Sequence, residues 1–296
     1  MMKRGRFYLS RVIKRGVLDH DKLIQSIANA PKISSGKFDW TITDVTDSSQ
    51  SEFQFIFGKL SKYSKEGHVT VVDEPSRAQV DRVAPNLLVA SSPFVYLPNF
   101  SGIAFLHVWN GIQEDLFPRR LQDIVKEACQ NFFVDIELEP ISDYKAFTEK
   151  LKSLSKFSEI SAKVYPPNPL FGRLWGSLNS YIKRRNASEI SVKESNEAGD
   201  GVKTEIIGLM TKILEDPGYE PEKAPDITDA AILMAADGYG LGKVVGNDGE
   251  SEVVIRTSDT QKSFLFEKDP TPEELAAEAK NHFESISRER NMEHAE

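Results

Sequence analysis

The chain has 296 residues, 40% hydrophobic and 28% charged, the balance of a soluble globular protein with room for one large domain or two ordinary ones. A formal net charge of -8 argues against a protein that coats nucleic acid over its whole surface, while leaving room for a local basic face. The single cysteine, Cys129, excludes an intrachain disulfide and a cysteine-based zinc site. No apolar run approaches the roughly 20 residues that span a bilayer, and the basic N-terminal segment has no apolar core to read as a secretory signal, so the expectation is a cytoplasmic protein.

The first sixteen residues carry Lys3, Arg4, Arg6, Arg11, Lys14 and Arg15 and no acid, and within them FYLSRVI reads as a short strand. LDHDKLIQSIAN sets Leu18, Leu23, Ile24 and Ile27 on one helical face behind an Asp cap. FDWTITDV and EFQFIFGKL alternate apolar and polar residues as half-buried strands do. HVTVVD, NLLVAS, PFVYL and GIAFLHVW follow as short strands, punctuated by Pro75, Pro85, Pro93, Pro98 and Gly102. An amphipathic helix is predicted over Asp115 to Cys129, with Leu116, Leu121, Ile124 and Val125 inward, and VDIELEP alternates again up to Pro140.

In the second half, Asp143 to Leu154 has a helical pattern and Glu159 to Tyr165 an extended one. PPNP ends that strand and introduces a helix, LFGRLWGSLNSYIKRR, with Leu170, Phe171, Leu174, Leu178 and Ile182 at helical spacing. SEISVKES reads as a strand and VKTEIIGLMTKILEDPG as a helix closed by Asp216-Pro217-Gly218. SEVVIRTS and SFLFEK are strand candidates, and an acidic helix with a frayed end closes the sequence. Hairpin-like runs outnumber strand-helix-strand alternation. The expected class is α+β with largely antiparallel sheets, in two domains, 1–140 and 141–296.

AADGYGLGKVVGNDG, residues 235–249, is the densest glycine stretch. Its spacing fits neither G-x-G-x-x-G before a helix nor a Walker A loop, since Val244 follows Lys243, and strand-like segments follow it. Asn247-Asp248-Gly249 is a hairpin signal, so the stretch reads as architecture and no cofactor is implied. The five histidines are dispersed without a metal-binding pair, and no nucleophile elbow is present. Glu137 and Glu139 share one strand face without signalling acid-base chemistry, so no catalytic residue is assigned.

Two basic islands remain: Lys3, Arg4, Arg6, Arg11, Lys14 and Arg15, and then Arg173, Lys183, Arg184 and Arg185. Islands of this kind in an acidic protein suit contact with a phosphate backbone, although solubilising charge and helix capping give the second island an ordinary explanation.

From PLFGRLWGSL through KTEIIGLMTKILEDPGYEP and DITDAAILMAADGYG to the acidic last helix, the second half resembles the RexA-type phage exclusion proteins and related phage-defence proteins. In that pattern DITDAAILMAADGYG enters as a strand. The N-terminal RFYLSRV and VDIELEPI stand in compatible order. The resemblance implies a cytoplasmic, dimeric, two-domain protein that binds DNA with little sequence preference, senses infection and acts with a membrane-embedded effector. It transfers no individual site residue. A nuclease or nucleotide-dependent toxin with a dispersed site, and an interaction module that recognises a phage protein, stand as alternatives.

Overall fold

Strand β1 (Arg4–Gly16) follows a period of two, turning Phe7, Leu9, Arg11 and Ile13 to one face and Tyr8, Val12 and Lys14 to the other. The computed structural model describes residues 3–130, 132–167, 170–249 and 251–294. After β1 come α1 (His20–Ala28), β2 (Ile33–Ser35), β3 (Phe38–Asp47), β4 (Ile56–Asp73), β5 (Ala78–Leu97), β6 (Gly102–Leu106), α2 (Leu116–Ala128) and β7 (Val134–Pro140). Next are α3 (Tyr144–Lys152), β8 (Lys156–Val164), β9 (Leu170–Gly172), α4 (Gly176–Arg185), β10 (Ile190–Ser195), α5 (Ile206–Glu215) and α6 (Ile227–Met234). The chain then runs through β11 (Gly240–Asp248), β12 (Ser251–Arg256), β13 (Ser263–Glu267), α7 (Pro272–Glu289) and β14 (Met292–His294).

The fold is α+β and its strand pairs are antiparallel. One sheet has the order β13-β1-β6-β5-β4-β3-β2, with β7 also paired to β1; a second has the order β10-β8-β11-β12; β9 and β14 form a small third. Phe94, Tyr96, Ile103 and Phe105 face one side of the large sheet, where α1 and α2 cover them. Val95, Leu97, Ala104 and Leu106 face the other, in a core shared with α3, α5, α6, α7 and the second sheet. The boundary expected at Pro140 falls where the chain leaves the large sheet. The second half nevertheless returns to it, because β13 pairs with β1 from Arg4↔Glu267 to Tyr8↔Ser263 and α7 packs on β5. Among the described residues no helix is long and apolar enough to cross a membrane.

Three expectations change. The short strands around Pro85 and Pro93 are parts of the long β4–β5 hairpin. Before Phe94, β5 pairs only with β4, so its open edge tolerates prolines that lack an N–H. DITDAAILMAADGYG supplies a helix, α6, with Ala230 to Ala236 wholly buried. A short run that is apolar all round suits a core helix as well as a strand. The helix expected from Leu170 begins at Gly176; Leu170–Gly172 is instead strand β9, with the partner β14 lying in the segment expected to fray. Asn168, Pro169, Ala295 and Glu296 lie outside the described residues.

Residues 66–85 form an arm. β3 pairs with β4 only as far as Ser64, so beyond that point the two strands of the hairpin hold only each other. Val72, Val80 and Val83 are exposed along it.

The opening of β11 anchors the two sheets. Ala235–Tyr239 makes one wide turn of the π type, with Gly238 at φ +87°. This turn delivers Asp237, which is fully buried. Tyr144 Oη donates to its Oδ1 and Trp175 Nε1 to its Oδ2, each at 2.7 Å. Arg290 Nη1 donates to Oδ1 at 2.9 Å, and Arg290 Nη2 donates to Ser142 O. Arg11 enters from β1, donating to Asp237 O at 3.4 Å and to Phe100 O at 2.6 Å. A Cβ at Gly238 would lie 2.6 Å from Arg11 Cγ, and one at Gly240 would lie 2.0 Å from Lys163 O. At these two positions the glycines admit close neighbours from within the protein.

Asp237→Asn, which takes the carboxylate from Arg290 and leaves it only Glu289 at 3.9 Å, should cost about 3–5 kcal/mol in denaturant unfolding. Replacing residues 67–84 by an Asn-Gly turn should instead shift the thermal midpoint by no more than about 2–4 °C, the effect of roughly 1 kcal/mol on a large domain.

Candidate nucleic-acid interface

The ten basic residues singled out in the sequence have different fates. Lys3, Arg4 and Arg6 are exposed at the start of β1, where Arg6 Nη1 donates to Ser263 Oγ at 2.9 Å. Arg11 is 0% exposed, so it cannot reach a phosphate at the surface. Burial pulls its pKa down, while Tyr239 and Asp237 oppose the shift. Its place between Leu9 and Ile13 in the period-two pattern was the sequence signal for this burial. Lys14, on the opposite face, points into a cavity. Arg173 is clamped between Glu220, at 2.6 Å, and Glu293, which ties α4's approach to β14. Lys183, Arg184 and Arg185 are exposed at the C-terminal end of α4, where the helix dipole favours them, and Arg184 lies over the Tyr181 ring.

Arg15 of the first island reaches the segment that follows the second. Arg15 bonds Glu137 at 2.5 Å and Glu189 at 3.2 Å, and Lys163 reaches the same Glu189 oxygen at 2.9 Å. Glu189 lies just beyond the C-terminal turn of α4, so the end of β1, the end of β8 and the end of α4 converge. Both Arg15 and Lys163 lie over the Tyr165 ring.

From there a basic surface spreads over the open face of the second sheet. The inner face of this sheet carries Ile160, Ala162, Val164, Val244 and Ile255 against α6. On the outer face, the registers Lys193↔Ser161, Lys243↔Ser161 and Lys243↔Arg256 set Lys193, Ser161, Lys243 and Arg256 in one row across all four strands. At about 4.8 Å between strands the row spans roughly 14 Å. Lys163 stands in the next row, facing Ser191 and Leu241. Lys243 and Arg256 are like charges directly opposite, an arrangement that weakens a sheet.

Glu159 relieves part of this repulsion, meeting Lys193 at 2.6 Å and Lys243 at 2.5 Å. Those two hydrogen bonds hold its carboxyl down at about 2. Among the described residues Arg256 forms no ion pair. Glu252 also lies on this face by register, so the surface is basic without being uniformly so. In the sequence Lys243 drew notice only within the glycine stretch, and Lys163, Lys193 and Arg256 drew none. They are dispersed along the chain, and only strand register aligns them.

Beside this face, Glu139 is buried and shares a hydrogen bond with Glu137. Desolvation first, and then the neighbouring Glu137 charge, push the Glu139 carboxyl up to about 8, with Lys163 opposing.

The fold and this surface define an antiparallel α+β protein with an open, basic sheet face. The model of the family described as a domain of unknown function, DUF4747, matches residues 19–284, and the chain belongs to that family. No curated protein matches the chain significantly.

Because Glu139 binds a proton in the folded state that it releases more readily when unfolded, its contribution to stability should fall as pH rises from about 4.5 to about 8. Urea midpoints at pH 5, 7 and 9 should therefore show Glu139→Gln gaining on the wild type as pH increases.

Proposed function

We propose that this protein binds the DNA backbone with little sequence preference, without catalysing a reaction, through the open face of the β10-β8-β11-β12 sheet. The row Lys193–Ser161–Lys243–Arg256 carries this reading. It keeps like charges opposite one another, at a cost in the isolated protein that phosphates can offset. Its length is close to the roughly 12 Å width of a DNA major groove, so the row can reach the phosphates on both sides. The outer face carries no aromatic residue along the row, which suits contacts with phosphate over readout of bases. Arg184 and Arg185 are exposed at the end of α4, a few residues before the Glu189 that Arg15 and Lys163 share. The reading accords with the exclusion-protein resemblance, in which a cytoplasmic, dimeric DNA binder senses infection and acts with a membrane-embedded partner.

The interaction-module alternative rests on a separate feature, the arm at residues 66–85. Its charge is net acidic, with Arg77 and Arg82 set against Glu66, Asp73, Glu74 and Asp81, and its exposed valines suit a protein surface better than a phosphate backbone.

Fluorescence anisotropy with unrelated duplexes should give similar affinities and a steep salt dependence. Lys193→Ala with Arg256→Ala should weaken all duplexes alike and flatten the log K against log salt slope by about 2, since each lost phosphate contact removes about 0.9. Glu159→Gln, which frees two lysines, should strengthen binding several-fold. Absence of binding at low salt, or a slope unmoved by the double substitution, refutes the sheet face as the site.

A further inference from the structure

Lys14 leaves β1 on the side opposite Arg15 and lines a cavity of about 510 Å³ between β1, the approach to α1 and the turn at 98–101. Its Nζ donates to Ser101 Oγ at 3.3 Å, and among the described residues it forms no ion pair. Burial lowers its pKa and nearby Asp19 opposes the shift only in part. Asp19 is engaged elsewhere: Oδ1 accepts the Lys22 N–H at 2.8 Å as the cap of α1, and Oδ2 meets Lys22 Nζ at 3.3 Å. His20 packs on Tyr96, and burial followed by the Lys14 charge lowers its pKa, so it adds no positive charge at neutral pH.

The cavity thus holds a partly desolvated ammonium whose only bonded partner is a neutral hydroxyl. Withdrawing a charge from water without a counter-ion is unfavourable, and a bound anion removes that penalty. Gln54 and Asn99 supply neutral polar groups in the same wall, Val12, Leu18, Pro98 and Pro166 supply apolar surface, and the wall's one carboxylate, Asp19, is paired with Lys22. The volume lies within the roughly 300–1,000 Å³ of small-molecule sites.

We propose that this cavity binds a small organic carboxylate, with its anionic head on Lys14 and its apolar body against Val12, Leu18 and Pro166. Lys14 is the only lysine or arginine in the described wall. One cation matches a single negative charge, whereas a phosphate monoester carries about -1.5 to -2 at neutral pH. The site is distinct from the outer face of the second sheet and does not depend on nucleic-acid binding there.

The test is thermal unfolding of the full chain at pH 7.5 and constant ionic strength, titrated with sodium benzoate, with benzamide as its uncharged counterpart, and with inorganic phosphate. Benzoate should raise the midpoint with the logarithm of its concentration once above its dissociation constant, by about 5 °C at a hundredfold excess. Benzamide should not. Lys14→Met keeps the aliphatic stem and removes the unpaired charge, so it should fold and lose the response. Equal effects of benzoate and benzamide, an undiminished response in Lys14→Met, or stabilisation by phosphate alone would each overturn the assignment.

Discussion

The position of one buried carboxylate, Asp237, governs how the layers meet. Its donors come from α3, from the turn before α4 and from the residue that ends α7, while Arg11 of β1 takes the adjoining carbonyl. Two guanidiniums gather here: Arg290 has the Asp237 carboxylate and, at 3.9 Å, Glu289, while Arg11 forms no ion pair among the described residues. The second charge is accommodated by the carbonyl of Phe100 and by the rings of Tyr239 and Phe283 around Arg11. A buried ion pair of this kind adds little net stability over a well-packed apolar core, and its larger effect is on register. A shift of one residue in β1 would withdraw Arg11 from the glycine turn and turn Phe7 and Leu9 out of the core. The same register brings Arg15 to Tyr165, Lys163 and Glu189, so the buried network also determines where the surface charges lie.

The sequence made much of the fold legible because local pattern and tertiary environment agreed. Period-two alternation marked β3, the start of β4 and β7, and Asp19 and the Asn247–Gly249 turn announced α1 and the β11–β12 hairpin. The disagreements have local causes. AAILMAA lacks a polar face and therefore a readable period; Pro85 and Pro93 interrupt a pattern without interrupting a strand whose outer edge is open; Leu170–Gly172 is held extended by a partner more than a hundred residues away. Arg11 is different in kind. A count of basic residues placed it on the surface, although the alternation of its neighbours placed it inside.

The candidate surface was less legible than the fold. Lys193, Lys243 and Arg256 form no cluster in the sequence, whereas Arg173 lies in one and is spent on Glu220 and Glu293. Density of charge along the chain is therefore a poor guide to density in space. Cations available to an external anion are those that neighbouring carboxylates leave incompletely neutralised, and cross-strand register decides which these are. In a molecule of net charge -8, such a surface is local and opposed by the remainder.

The Asp237 network also constrains the order in which the molecule can be made. β1 is synthesised before its partners: along one edge it needs β7 and then β13, and its buried arginine needs a turn near residue 237. Asp237 in turn lacks its own arginine until residue 290 has been synthesised. During translation, Arg11 must therefore remain hydrated and the face of Phe7 and Leu9 uncovered until the segments from residue 237 to residue 290 have followed. Closure of this core waits for residue 290, and the nascent chain is most vulnerable to aggregation while that face is uncovered.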